Sequence, residues 1–468
     1  MSPSASPSAG VSPPASLAAT LGAFVASLDV SALPEEVNDK AHACLLNGYG
    51  IGLGCHPTPY APVAREAVMA VDGGGPATLL ADGRKVSLAG AMLANAALFH
   101  GRAQEDACGA AHLGAIVIPM LTAMLESGRY DQANVIPALV AGYEAGGLFE
   151  ETYAVDTTPV GFRASTLYGP IAAAAAAARL MGLSADRCAA ALANAASFAG
   201  GLLQSFVDGT DEWRYQVGVS GQVGLTAATL AAAGSVSAPG AFEGPKGLVR
   251  AYARRDCDTA ALAAKLGRDW QTMRVAFKPF PVCAFNQTPV TAALELRQKI
   301  GIPETVRVYM NPYECGYAGM DAKGPFNSIS GTLMSIPFCI ALALVRGTPT
   351  MALMTRYDDP EVNALESRIE LVADTSVPVL SCRLEATVDG NMVTHEKPMT
   401  AADYSYSWDE VSRMVRRIGA EEGVPAAAYD GIERFCAAPG REPVSLVVEA
   451  FQSIPAVAHR GAALSVEA

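Results

Sequence analysis

The sequence predicts a mainly α-helical protein with one α+β unit late in the chain, and three observations carry that prediction. Of the 468 residues 51% are hydrophobic but only 7% aromatic, and alanine and glycine are abundant, a composition that suits helices packed at close range. Between Leu17 and Ala233 a glycine-bounded polar stretch is followed repeatedly by a helix of small residues. Beyond residue 304 helical spacing gives way to alternation in Thr305–Asn311 and Ser381–Gly390, the pattern of half-buried strands.

Taken in order, residues 1–16 are rich in serine, proline and alanine without a charge, and read as a disordered tail rather than a signal or transit peptide. Leu17, Leu21, Phe24 and Val25 recur at helix spacing, and Pro34-Glu35-Glu36 starts a helix over Val37–Leu46. Pro62–Val71 is a short amphipathic helix. Gly73-Gly74-Gly75-Pro76 is a turn and not a phosphate loop, because no Gly-Lys-Ser/Thr follows. A hairpin or loop over Thr78–Val86 turns at Asp82-Gly83. An alanine-rich helix, Ser87–His100, leads into the polar run that begins at Arg102 and then to His112-Leu113-Gly114 before the apolar helix Ile116–Leu125. Polar residues between two buried helices must be solvated, paired or facing a cavity. Further helices follow at Val135–Glu151, Pro170–Met181, up to Ala199, and Gly224–Ala233.

Ala276–Val290 contains Pro279, Pro281 and Pro289, each without a backbone donor, so this segment reads as a rigid connector and not as a central strand. It carries Lys278 and Cys283 among aromatic side chains. Burial there would lower an amine's pKa toward that of a general base; alternatively the lysine snorkels to the surface. Helix Thr288–Ile300, strand Thr305–Asn311, a helix near the end of Phe326–Val345 and strands Arg368–Asp374 and Ser381–Gly390, turning at Asp389-Gly390, make the α+β unit. Trp408–Ser453 returns to helix and packs back on the first domain.

Composition also excludes function classes. A formal net charge of -13 without a cluster of Lys and Arg argues against nucleic acid as a partner. The longest apolar run, Ile171–Ala178, is far short of a membrane span, so a soluble, cytoplasmic protein is expected. Ten cysteines lie singly with no C-x-x-C pair, which suggests neither a disulfide framework nor a zinc or iron–sulfur site.

Phe277-Lys278-Pro279-Phe280-Pro281-Val282-Cys283, Gly161-Phe162-Arg163, His112-Leu113-Gly114 ahead of Ile118-Pro119, and Phe242-Glu243-Gly244-Pro245-Lys246-Gly247 together resemble the MmgE/PrpD family. That family includes 2-methylcitrate dehydratase, cis-aconitate decarboxylase and iminodisuccinate epimerase. The resemblance implies a large all-helical domain from residues 17–273 and 401–458, a smaller α+β lid domain over 274–400, a homodimer, and a site between the domains that takes a small di- or tricarboxylate without cofactor or metal. Residue by residue, the family's lysine is Lys278 and its histidine is His112. Its acidic D-F-D-D-T segment corresponds to residues 103–107, where Glu105 and Asp106 keep carboxylates while Ala103 and Ala107 replace an aspartate and a threonine. Its G-[FW]-H turn ends in Arg163, a second lysine falls on Trp213 beside Arg214, and a histidine of decarboxylase members is Cys283.

Reactions of this family share proton abstraction next to a carboxylate, which requires cations for the developing enediolate and a base near neutral pKa. His112 is the first choice as base and Lys278 the second. Glu105, Asp106 and Tyr168 are candidates for orienting the base or donating to a leaving group. Arg102, Arg163, Arg214 and Cys283 are the expected substrate contacts, with ion pairing to Glu105 or Asp106 the alternative for Arg102 and Arg163. Dehydration is slightly favoured over epimerisation, a non-catalytic metabolite-binding paralogue is the alternative, and the departures weigh against decarboxylation.

Overall fold

The computed structural model describes residues 15–454. Nearly all of the expected tail at residues 1–16, and residues 455–458 of the expected helical domain, lie outside the described residues.

The first half is a helical assembly whose helices approach closely because their facing side chains are small. Gly169–Leu180 is buried along its length except at Arg179, and it packs against Val135–Thr157 and Glu212–Ala232. A Cβ at Gly224 would sit 2.7 Å from the Pro170 carbonyl oxygen, so this glycine sets the approach of its two helices. Leu17–Ser27, capped by the Ser16 hydroxyl, packs on Ala185–Phe198. The helix Trp408–Glu421 opens with a capping box, Ser407 to Glu410, and packs on Glu35–Gly54. That helix runs eight residues beyond the end expected at Leu46.

Four strands, β1 (Thr305–Met310), β2 (Ile369–Ala373), β3 (Cys382–Val388) and β4 (Asn391–Lys397), form one sheet in the order β2-β1-β3-β4. β1 and β2 are parallel, Val306 opposite Ile369, and the remaining pairs are antiparallel. The β3–β4 hairpin turns at Asp389 (φ 50°) and Gly390 (φ 75°), the two positive φ values that a tight two-residue hairpin loop demands. Helices Gln287–Ile300 and Ile336–Arg346 pack together beside the sheet.

The hydrophobic interior falls into two principal clusters, one within the helices and one around the sheet. The second recruits Tyr60, Ala103, Phe206 and Trp213 from the helical half. Among the described residues no helix is long and apolar enough to cross a membrane.

Candidate active site

The polar run after the helix Leu88–Phe99 is held against the proline-rich connector by a short antiparallel ladder, Ala107 opposite Ala276 and Cys108 opposite Val275. This ladder brings Glu105 and Lys278, 173 residues apart, to 2.8 Å between Oε1 and Nζ. Lys278 Nζ also donates to the Ala103 carbonyl, and Ala103 takes a φ of 54°, a left-handed conformation uncommon without glycine. Both members of the pair are 2% exposed, so the amine does not snorkel out to water.

His112 meets the same carboxylate oxygen, its Nδ1 lying 3.3 Å from Glu105 Oε1. That nitrogen is also 2.9 Å from the Asp106 carbonyl oxygen. A carbonyl only accepts, so Nδ1 carries the proton and Nε2 keeps its lone pair. The His112 amide donates to Ser165 Oγ at 3.0 Å, which fixes the backbone from the helix Ala164–Leu167. Burial first, and the Lys278 ammonium second, hold the His112 pKa well below the usual imidazole value. The imidazole is therefore a neutral base at pH 7, and 17% of its side chain remains exposed. Burial alone would raise the Glu105 carboxyl, but the cationic and imidazole groups around it outweigh burial and hold it well below the ordinary range.

A second imidazole completes the cluster. The His100 Nε2 lies 2.7 Å from Arg163 Nη2, and because a guanidinium only donates, Nε2 accepts and Nδ1 carries the proton. Nδ1 then stands 3.0 Å from Glu105 Oε2, although the angle misses hydrogen-bond geometry and both atoms are otherwise without a partner. Burial lowers the His100 pKa to about 4. His100, the last residue of the helix expected over Ser87–His100, has its ring 5.4 Å from that of His112 and 4.7 Å from the Trp213 indole.

Arg163 and Arg214 supply the remaining charge. Arg163 is 1% exposed and donates to the Trp213 carbonyl, to Gln216 Oε1 at 3.0 Å and to His100, so no carboxylate neutralises it directly. Burial brings its pKa down to about 10, still a cation at neutral pH. Arg214 lies in the first turn of the helix Glu212–Ala232, which starts twelve residues before the helix expected from Gly224, stacked 3.7 Å from the Tyr60 ring centroid and 3.9 Å from that of Trp213. Its Nη1 donates to Asp211 at 3.0 Å and Ser330 Oγ at 2.6 Å, while buried Nε and Nη2 have no partner. Counting Lys278, Arg163 and Arg214 against Glu105 and the half-exposed Asp211 leaves an excess of one buried positive charge. Such an excess is costly unless an anion meets it.

The other expected site residues are placed differently. Arg102 does not pair with Glu105 or Asp106. It ion-pairs with Glu422 and, at 3.1 Å, with Glu421, and donates to Gln104, so its guanidinium is committed to the end of the helix Trp408–Glu421 and is removed from the set of substrate cations. Asp106 accepts from the Gly114 amide at 3.1 Å and from the Tyr143 hydroxyl, anchoring the start of helix Gly114–Glu126, and burial raises its pKa to about 6. The Tyr168 hydroxyl is 2.9 Å from Thr157 Oγ1 and bonds to neither Lys278 nor His112. At Cys283, expected as a substrate contact, burial outweighs the nearby Lys278 ammonium and pushes the thiol up to about 11. Tyr60 and Ser330 were not singled out in the sequence and emerge only from the packing. Among the described residues no group of three or more His, Cys, Asp or Glu is placed to hold a metal ion.

Residues 19–259 match the MmgE/PrpD N-terminal domain and residues 280–402 the MmgE/PrpD C-terminal domain. Similar curated proteins include a cis-aconitate decarboxylase of Aspergillus terreus (strain NIH 2624 / FGSC A1156), 25% identical over 378 residues that cover 74% of this chain and 76% of the relative. Another is the cis-aconitate decarboxylase-like protein oryM of Aspergillus oryzae (strain ATCC 42149 / RIB 40), 27% identical over 287 residues that cover 57% of this chain and 58% of the relative. These relatives overturn the expectation that decarboxylation is disfavoured. That expectation treated each departure as a lost function, whereas Arg163 keeps a cation where the family pattern has an imidazole, and His100 brings an imidazole to the same carboxylate as His112. Matched by both domains over most of the described residues, the chain belongs to the MmgE/PrpD family.

Proposed function

We propose that the protein is a lyase for a small di- or tricarboxylate, with loss of CO2 from an unsaturated tricarboxylate such as cis-aconitate as the first reading. The observation that carries it is the neutral His112 imidazole, anchored by Nδ1–H on the Asp106 carbonyl and sharing Glu105 with Lys278. Arg163 and Arg214 bind substrate carboxylates, and Arg214 offers the two buried donors that lack a protein partner. When CO2 leaves, the electron pair of the broken C–C bond spreads into the adjoining double bond and a second carboxylate, and the resulting carbanion takes up one proton. Lys278 and Arg163 stabilise that developing charge. His112 delivers the proton: the charge of a bound polyanion raises the pKa that burial and the Lys278 ammonium hold down, so the imidazole can protonate in the complex and then pass the proton to carbon. The decarboxylase names of the relatives support this order of readings.

Proton NMR of cis-aconitate and hydroxy tricarboxylates incubated with the enzyme in D2O tests the proposal. The expected outcome is CO2 release with one deuterium placed on carbon, and turnover falling roughly 10²–10⁴-fold in His112→Ala, with a comparable loss in Lys278→Ala and the fold of both variants intact. Full activity in both variants would sink it. A second reading, binding without turnover, is favoured by Ala103 and Ala107 standing where the family pattern has aspartate and threonine. Saturable binding with neither deuteration, elimination nor CO2 release would select that reading.

A further inference from the structure

The approach of Lys278 to Glu105 depends on how the two strands of the short ladder sit against each other, and one carboxylate outside the cluster holds both. Glu150, on the helix Val135–Thr157, is 4% exposed. Its Oε1 accepts from the Ala110 amide at 2.8 Å, and its Oε2 lies 3.3 Å from Arg274 Nη2. Ala110 follows the strand Ala107–Cys108, and Arg274 immediately precedes the strand Val275–Ala276.

The local backbone is shaped for this grip. Cys108 and Ala111 exchange backbone bonds at 2.8 and 3.1 Å and close a tight turn, which leaves the Ala110 amide to the helix. Gly109 in that turn has a φ of 61°, and a Cβ there would collide with the Glu150 carboxylate. On the other side Arg274 Nη1 donates to Gln271 Oε1 at 2.6 Å, and the Gln271 and Thr272 amides donate to Glu144 of the same helix at 3.0 and 2.8 Å. The connector therefore enters the ladder from a segment already fixed to Val135–Thr157. Beyond the ladder the tethers are short: Glu105 stands two residues before Ala107, and Lys278 two residues after Ala276. A shift of either strand passes to the ion pair with little slack.

We propose that Glu150 is a positioning residue: by gripping Ala110 and Arg274 together it sets the two strands, and through them the place of Lys278 against Glu105 and His112. This inference deepens the carboxylate-lyase reading, on which its kinetic arm rests. Its other arm needs no substrate. The charged and titratable groups that act on His112 are Lys278, Glu105, His100 and Arg163, and of these only Lys278 lies on the connector. When the ladder loosens, the ammonium withdraws and the Glu105 carboxylate faces the imidazole without it. Both changes raise the His112 pKa.

The test combines NMR of the full chain, labelled with 13C at histidine Cε1, with initial-rate kinetics on cis-aconitate. In the wild-type protein His112 is expected to stay neutral between about pH 5 and 8, and in Glu150→Ala to titrate inside that range. A displacement of about 1 Å at a reacting group costs roughly 10²-fold, so kcat should fall by that order in Glu150→Ala. KM should hold, because Arg163 and Arg214 bind the carboxylates. Glu150→Gln keeps an acceptor oxygen for the Ala110 amide and should restore the wild-type titration and most of kcat. An unmoved His112 titration in folded Glu150→Ala overturns the proposal even if Tm falls, since lost stability alone leaves the folded site as it was. A moved titration with kcat kept overturns it too. Should Glu150→Ala not fold, Arg274→Met, which frees only the connector strand at a side chain 29% exposed, takes its place with the same expected shift and the same overturning results. A moved titration with no turnover of any polycarboxylate, even in the wild-type protein, sinks the lyase reading and supports the positioning role.

Discussion

Arg163 shows how one side chain can serve two tasks at a buried site. Its guanidinium fork reaches the Trp213 carbonyl, Gln216 and His100 at once, and the bond to His100 fixes which nitrogen of that ring carries the proton. Lysine keeps the charge but not the fork. In Arg163→Lys we expect the carboxylate affinity to fall about 10- to 100-fold, the size of a lost charged hydrogen bond, seen as a higher KM in initial-rate measurements. His100 provides a pH signature. Its folded pKa of about 4 lies below the ordinary 6.5, so between these values the unfolded chain binds a proton that the folded chain does not. The stability that neutral His100 contributes is present above pH 6.5 and is lost as pH falls toward 4. His100→Gln should flatten the dependence of Tm on pH within that window, and an unchanged slope would count against the neutral assignment. Lys278 stood out in the sequence because a proline-rich connector is a local signal, as is the polar run between apolar helices that holds Glu105, whereas His112 was picked out through the family resemblance. Arg102 was misread because its acidic partners lie 319 and 320 residues away at the end of another helix. Nothing local distinguishes a structural arginine from a substrate arginine.

The helix Glu35–Gly54 illustrates what a single element hides. Residues 48–54 alternate glycine with tyrosine, isoleucine and leucine, and each glycine lowers intrinsic helix propensity by about 1 kcal/mol relative to alanine. Read locally, the helix should fray near Leu46. It persists because the glycines are contact points: a Cβ at Gly50 would lie 2.5 Å from Val415 Cβ, one at Gly52 would lie 2.9 Å from the Phe99 ring, and one at Gly54 would lie 2.7 Å from Ile418 Cγ2. Tertiary packing thus overrides propensity. In isolation Gly50→Ala would favour helix; here the overlap with Val415 forces the Trp408–Glu421 helix outward. Overpacking of this kind costs roughly 1–3 kcal/mol, more than the propensity gain, so a lower urea midpoint is expected. Gly50→Ala combined with Val415→Ala should restore much of the loss, and a failure to do so would remove close packing as the reason. The hairpin turn at Asp389-Gly390, by contrast, was readable because its chemistry is contained in two adjacent residues.

At the scale of the whole molecule, the two halves meet through polar groups that also belong to the candidate site. Besides the Lys278–Glu105 pair, Ser330 on the helix Ile329–Met334 receives Trp213 Nε1–H at 3.2 Å and Arg214 Nη1–H at 2.6 Å, and lies 3.0 Å from Asp211. Ser328 adds a bond to the Gly209 carbonyl at 2.6 Å. The change from helical spacing to alternation made the existence of an α+β unit legible, but not these bonds, which join residues more than 100 positions apart. Their consequence is that docking of the two halves and preparation of the site are one event. Ser330→Ala removes one small hydroxyl, yet it leaves the Trp213 indole N–H unpaired and takes a second partner from Arg214, and a buried donor without a partner costs about 1–3 kcal/mol. That cost falls on the docked arrangement alone, because water satisfies both donors when the halves separate. Hydrogen exchange should therefore speed up over residues 209–214 and 328–334 in the variant, while protection of β1 and β3 stays as in the wild-type protein. A saturating dicarboxylate should slow exchange again at both segments, since its charge satisfies the free donors of Arg214. Faster exchange confined to residues 328–334 would instead describe local fraying of one short helix, and the coupling of docking to the site would then have to be given up.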